Sequence, residues 1–267
     1  VAAQLVTGMM REDGRVTSFA QTLDGLRIAY ERHPGEHPVL LVHGFATTGD
    51  LTWGATGWVR ALAEAGRGAI VVDLRGHGGS SAPHDPAAYS PDLLAGDLVA
   101  VLDAEGLDRV DVMGYSMGSW VALALVGLEP SRVRRVVVGG VGTIEQFGRW
   151  GVDAVRAALL DGADPATLGD SPLAPLLASI RQAPGVDREA LAACVSGMAA
   201  HPLPLASTVP TMLVVGDADP VTDGSEEAAA ALGAELVVLP KRNHVTTLSA
   251  RGFKQAALPF LEDTVQV

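Results

Sequence analysis

The stretch Gly114-Tyr115-Ser116-Met117-Gly118 interrupts an otherwise apolar run, 109–126, and raises a chemical question about its central serine. An apolar strand running into Gly-x-Ser-x-Gly and directly on into a helix forces the serine into a strained, exposed turn. Glycines at 114 and 118 are needed because a side chain at either would collide with neighbouring backbone. Beneath the serine, the start of the helix supplies free N–H groups and partial positive charge. "SWVALALVGL" follows with helical composition, so Ser116 reads as a nucleophile and not as turn filler.

A serine hydroxyl needs a base to take its proton, and the base needs an orienting carboxylate. In a strand-turn-helix arrangement of this kind the chain order is serine, acid, histidine. Two histidines follow Ser116. His201, in "AAHPLP", precedes both good acid candidates, whereas His244, in "KRNHVTTL", lies in a polar stretch between the last strand and the last helix. His244 is therefore the expected base. "VVGDADPV" offers Asp217 and Asp219 just after a strand. The more distal Asp219 is better placed to reach an imidazole, and Asp217 reads as a turn-former. Another acid position, after the strand at 135–141, has no carboxylate until Glu145. Negative charge on a tetrahedral intermediate also requires donors. The backbone N–H of Met117 is one, and that of Phe45 in "HGFATTGD" is the other expected member of an oxyanion hole. His43 in the same loop reads as a local hydrogen-bonding residue that holds the loop open.

Positioning these groups requires a sheet. Near-continuous apolar runs at 38–45, 68–76, 109–114, 135–141, 211–217 and 234–240 have the character of strands covered on both faces. The runs 16–23 and 26–32 form an antiparallel pair about Asp24-Gly25. Helices are expected at about 57–65, 92–105, 117–128, 225–232 and 247–262. Alternating strands and helices imply an α/β fold with a mainly parallel sheet and helices on both faces. One interval departs from the rhythm. From Thr143 to Thr208 there are only Ala/Leu-rich helical segments punctuated by Pro165, Pro172, Pro175, Pro184, Pro202 and Pro204. The domain expectation is a core formed by 1–142 and 209–267 with a helical cap inserted at 143–208, leaving from the sheet end where such folds bind ligands.

Composition narrows the function classes. The 267 residues are 48% hydrophobic and 19% charged, as in a globular protein. A formal net charge of −12 disfavours nucleic acid and anionic membrane surfaces as partners. No apolar run is of membrane-spanning length, and the first residues lack the pattern of a secretory signal. Cys194 is the only cysteine, so an intrachain disulfide and a cysteine-based metal site are excluded, and a reduced, cytoplasmic setting is expected.

Taken together, His43-Gly44-Phe45, Asp73-Leu74-Arg75-Gly76-His77-Gly78 with Ser80, Gly114 through Gly118, Gly216 through Asp219, and Asn243-His244 make the chain resemble the α/β-hydrolase superfamily over nearly its whole length. The resemblance implies an eight-stranded sheet, a Ser-Asp-His triad and a cap between the sixth and seventh strands, and acylation and deacylation on such a triad require no metal and no diffusible cofactor. Arg75 and His77 then read as structural. Asn243 stands where the family often has glycine. Members with an aspartate nucleophile, the haloalkane dehalogenases and epoxide hydrolases, are disfavoured by Ser116. The expected activity is hydrolysis of a small-to-medium carboxylic ester. Carbon–carbon bond hydrolysis, thioesterase or lactonase activity and a cofactor-free perhydrolase are alternatives on the same triad, and a non-catalytic ligand receptor is a different class. Phe45, Met117, Phe147 and Trp150 are the expected walls of a small-molecule site. Leu159, Leu173, Leu176, Leu177 and Ile180 read singly as packing, and Arg149, Arg156 and Arg181 as surface charges.

Overall fold

A computed structural model describes residues 9–10, 16–164, 173–183 and 185–262. The N-terminal stretch read for a signal, Pro165, Pro172 and Pro184, and the side chains of Leu173 and Arg181 lie outside the described residues. All eight expected strands form, joined by a two-residue ninth at the sheet edge: β1 (Met9–Met10), β2 (Val16–Gln21), β3 (Arg27–His33), β4 (Glu36–Val42), β5 (Arg67–Val72), β6 (Val110–Tyr115), β7 (Val133–Gly139), β8 (Thr211–Gly216) and β9 (Glu235–Leu239). They make one sheet in the order β1-β2-β3-β5-β4-β6-β7-β8-β9. The β1, β2 and β3 pairings are antiparallel, and every pairing from β5 to β9 is parallel. Gly25, at φ 83°, provides the left-handed step of the β2–β3 turn.

The alternation of strand side chains divides the core in two. Leu40, Val42, Ile70, Val72, Val112, Val136 and Val138 point to the face covered by α2 (Pro91–Ala104), α3 (Met117–Leu128) and α8 (Ser225–Leu232). Val39, Leu41, Val71, Met113 and Val137 point to the other, where α1 (Trp58–Glu64) and α10 (Arg251–Glu262) contribute Trp58, Leu62, Phe253 and Leu261. Both faces are thus sealed, which is why these strands read as unbroken apolar runs.

Between β7 and β8 the described residues contain helices and no strand: α4 (Gln146–Trp150), α5 (Val152–Leu160), α6 (Leu173–Gln182) and α7 (Arg188–Met198). Their apolar sides, with Val155, Leu159, Leu177, Ile180, Leu191 and Val195, join the same core as α2 and α3. Leu159, Leu177 and Ile180 are buried packing residues, as the sequence suggests. The expected last helix is in fact two. A short α9 (His244–Leu248) precedes α10, because Asn243 caps it with its side chain bound to the Val245 and Thr246 N–H groups. Thr246 Oγ1 in turn accepts the Asn243 N–H at 3.0 Å, closing a capping box. His244 is therefore the first residue of a capped helix and not a residue of an open loop. No helix among the described residues is long and apolar enough to cross a membrane.

Candidate active site

Ser116 sits between β6 and α3 at φ 55°, ψ −125°, a backbone conformation L side chains rarely adopt. The close approach that demands glycine is explicit: a Cβ on Gly118 would lie 2.2 Å from the Val42 carbonyl oxygen, and one on Gly114 2.3 Å from that of Gly118. The Ser116 N–H donates to Gly139 O at 2.8 Å, and Ser119 Oγ donates to the same carbonyl at 2.8 Å, so the turn is clamped onto β7. Strain held this way by surrounding hydrogen bonds is typical of a functional position.

Asp219 and His244 come together from the ends of β8 and β9. His244 Nδ1 donates to Asp219 Oδ2 at 2.8 Å, and the carboxylate is wholly buried while the imidazole is 24% exposed. Asp219 Oδ1 accepts the Val221 N–H at 2.9 Å, so both its oxygens are satisfied and its orientation fixed. This arrangement assigns the proton to Nδ1 and leaves Nε2 as the basic nitrogen. Asp217 instead accepts the Lys241 N–H at 2.6 Å, the turn role expected of it. Glu145 caps α4, accepting the N–H groups of Phe147 and Gly148 at 2.7 and 2.6 Å. His201 is exposed at the end of α7.

Tyr115 has a part that sequence reasoning missed. Its ring lies 5.3 Å from the His244 ring, and its hydroxyl donates to the His244 carbonyl at 2.6 Å, pinning the start of α9. Burial, reinforced by Asp219, pushes the phenol well above its ordinary pKa, so it stays a donor. Gly140, at φ 65°, makes room, since a Cβ there would meet both rings at 2.9 Å.

The Phe45 loop is held by two buried histidines. His43 Nε2 accepts the Leu74 N–H at 2.9 Å and Nδ1 donates to Gly44 O at 2.7 Å. His77 Nε2 accepts the Ala46 N–H at 3.0 Å and Nδ1 donates to Arg75 O at 3.0 Å. Each histidine thus ties its own loop to the other's. Burial depresses both imidazoles, with Asp73 partly opposing this at His43; His77, also disfavoured by His43, falls to about 3. Arg75 is locked by Asp97, at 2.7 and 2.5 Å, and by Asp24 at 3.0 Å. These are the structural roles expected of His43, Arg75 and His77. The brace takes up the Ala46 N–H and leaves the Phe45 N–H without an acceptor among the described residues. Met117 begins α3, where a first-turn N–H has no partner within the helix.

Ser116 borders two spaces that share Phe45, Trp150 and Val221 as lining. One, of about 290 Å³, is lined by Ser116, His244, Phe45, Trp150, Leu176 and Val245 among others. The second, of about 20 Å³, lies against Met117, Trp120, Val141, Ile144 and Phe147. The expected wall residues Phe45, Met117, Phe147 and Trp150 are all there, together with Trp120 and Leu176. Trp120, one helical turn beyond Ser116, was legible only as a helix residue. Arg149 pairs with Asp223 at 3.2 Å, and Arg156 lines a separate surface hollow with His84 and Asp187. Among the described residues no group of three or more His, Cys, Asp or Glu side chains could hold a metal ion.

Comparison with known proteins bears on the fold. A family model described as the alpha/beta hydrolase fold matches residues 37–171, half of the chain. An epoxide hydrolase of Caballeronia sordidicola is 32% identical over 123 residues, 46% of this chain and 36% of the relative. A 2-hydroxymuconate semialdehyde hydrolase of Pseudomonas sp. (strain CF600) is 33% identical over 131 residues, 49% and 46% of the two chains. The chain therefore matches less than half the length of these curated relatives. The crystal structure of a hydrolase from Pseudomonas aeruginosa PA01 has a TM-score of 0.76 at 27% identity, covering 92% of this chain and 98% of that one.

Proposed function

The chain belongs to the α/β-hydrolase fold family, and on that premise we propose that it hydrolyses neutral carboxylic esters through an acyl-enzyme on Ser116. The observation that carries the reading is the 2.8 Å Asp219–His244 hydrogen bond, with His244 and Ser116 lining one cavity. His244 Nε2 takes the Ser116 proton as Oγ bonds to the ester carbon, and the carbonyl electron pair moves onto oxygen. The N–H groups of Phe45 and Met117 receive that oxyanion. When it collapses, the carbon–oxygen bond to the alcohol breaks and His244 returns the proton to the departing oxygen. Water repeats the sequence to release the acid, while Asp219 stabilises the imidazolium throughout. The scheme draws on no cofactor, and the helices of 143–208 act in it as a cap over the site.

Neutral substrates are favoured because the described residues lining the two spaces include no Lys, Arg, Asp or Glu. The same observation weighs against an anionic substrate for carbon–carbon cleavage, the alternative suggested by the Pseudomonas relative's name. A serine at the turn weighs against epoxide opening, which on this fold employs an aspartate. The test is hydrolysis of p-nitrophenyl acetate by wild type and Ser116→Ala, with fluorophosphonate labelling alongside. Loss of about four or more orders of magnitude in kcat, with labelling confined to Ser116, is expected. Folded wild type that neither turns over esters nor labels would overturn the proposal.

A further inference from the structure

The space around Ser116 is divided very unequally, and we infer that this chain is specific for esters joining a short acyl group to a bulkier apolar alcohol, with Phe147 as the residue that sets the acyl limit. The inference deepens the ester-hydrolase reading and rests on it. Chemistry decides which part of the ester occupies which space. In acylation the imidazole that took the serine proton must give it to the departing alcohol oxygen, so the alcohol has to lie on the His244 side. His244 lines only the larger space, of about 290 Å³. The acyl chain then extends away from His244, into the space beside Met117, where about 20 Å³ remains. That is little more than the room a single water requires, enough for the methyl of an acetyl group.

Phe147 creates the limit. The residue is only 2% exposed, and its ring is wedged among three others, with centroids at 5.1 Å from Phe45, 5.5 Å from Trp120 and 5.6 Å from Trp150. Its backbone is fixed as well. Glu145 accepts the Phe147 N–H at 2.7 Å, and the neighbouring Gln146 Nε2 donates to Val221 O at 3.2 Å. A ring held on several sides cannot swing away to admit methylenes without dismantling the cluster. On the alcohol side the mouth carries Leu51 and Val245, 60% and 77% exposed, beside Leu176 and Leu248. Large apolar side chains left open at a cavity rim favour an apolar alcohol.

Two substrate series test this. With the alcohol held as p-nitrophenol, kcat/KM is expected to fall by about tenfold or more between the acetyl and hexanoyl esters. With the acyl group held as acetyl, it is expected to rise from ethyl to hexyl or naphthyl esters. Phe147→Ala should raise the hexanoyl-to-acetyl ratio by about tenfold or more and leave the ranking of alcohols as it was. Phe147→Leu, which preserves more of the packing, should move the ratio the same way by less. A wild-type optimum at hexanoyl or longer would overturn the inference, as would an acyl ratio indifferent to both substitutions. Fluorophosphonate labelling separates the failures. A labelled, ester-hydrolysing enzyme with the wrong chain-length order defeats only the specificity, whereas no labelling and no turnover of any ester defeats the hydrolase reading itself.

Discussion

Behind the Phe45 loop, His43 and His77 commit both ring nitrogens to backbone groups, accepting an N–H with Nε2 and donating to a carbonyl with Nδ1. Beside Ser116, His244 also donates through Nδ1, but to a carboxylate, and its Nε2 has no hydrogen-bond partner among the described residues. Hydration differs in the same sense: His43 is 0% exposed and His77 5%, against 24% for the His244 side chain. A neutral carbonyl cannot offset the cost of charging a buried imidazole, and a carboxylate can. One residue type thus serves as a fixed brace in one region and, in the proposed reaction, as a proton carrier in the other. The partner at Nδ1 and access to solvent make the difference, not the residue type.

The largest expected effect comes from making His244 resemble the braces. Asp219→Asn replaces the carboxylate with an amide that cannot stabilise an imidazolium, and kcat should fall by about 10⁴-fold. Asp217→Asn should stay within a few-fold of wild type in the same steady-state assay. Should the two behave alike, the contrast between the pairs collapses.

Removing a brace should act mainly on stability. His77→Ala leaves the half-buried Ala46 N–H without its acceptor, and urea denaturation at pH 7 should show a loss of about 1 kcal/mol or more. The pH dependence has a definite sign. His77 titrates near 3 in the folded protein, so the unfolded chain binds the extra proton below the ordinary histidine value of about 6.5. Its contribution is fully present above that pH and is lost as pH falls toward 3, at up to about 1.4 kcal/mol per pH unit. His77→Ala should flatten that part of the stability profile. An unchanged slope would mean that His77 is not held neutral by burial.

The smallest effect concerns a third kind of histidine. His84 is exposed and lies 2.9 Å from both Asp187 at Nε2 and Glu189 at Nδ1, linking the loop after β5 to the start of α7. Its hydrogen bond to Asp187, helped by the charge of Glu189, raises its pKa. Here the sign is reversed: the contact is present below the ordinary histidine value and is lost as pH rises through the raised one. Amide exchange over 187–191 should quicken modestly with pH through that window in wild type, beyond intrinsic chemistry, and not in His84→Gln.

The local parts of the site were legible because they are written in contiguous residues. Gly114 through Gly118 encode a steric demand, and Asp219 and His244 each follow a recognisable apolar strand. Strands β4 to β8 were legible for a related reason, their burial on both faces, and β2 and β3 through the Asp24-Gly25 turn between them. What escaped depends on residues distant in sequence. Tyr115 meets the His244 carbonyl across 129 positions, and nothing around Tyr115 announces it. The reciprocal His43–His77 brace and the unequal spaces around Phe147 likewise require the folded arrangement. The short α9 was locally encoded, in the Asn243–Thr246 capping box that starts it.

The helices between β7 and β8 also carry a constraint on inheritance. β7 and β8 are parallel neighbours, paired from Val136–Thr211 to Gly139–Val214. The chain leaves at one end of the sheet and must re-enter at the other, roughly 20 Å away for a six-residue strand. Among the described residues the chain between these two strands consists of α4 to α7 and their connections, so these helices lie on the crossover itself. A lineage can replace these helices with others of different shape and preference, but it cannot simply delete them. Whatever is exchanged must still span the sheet, which leaves this stretch free to vary in content but not to shrink to a turn.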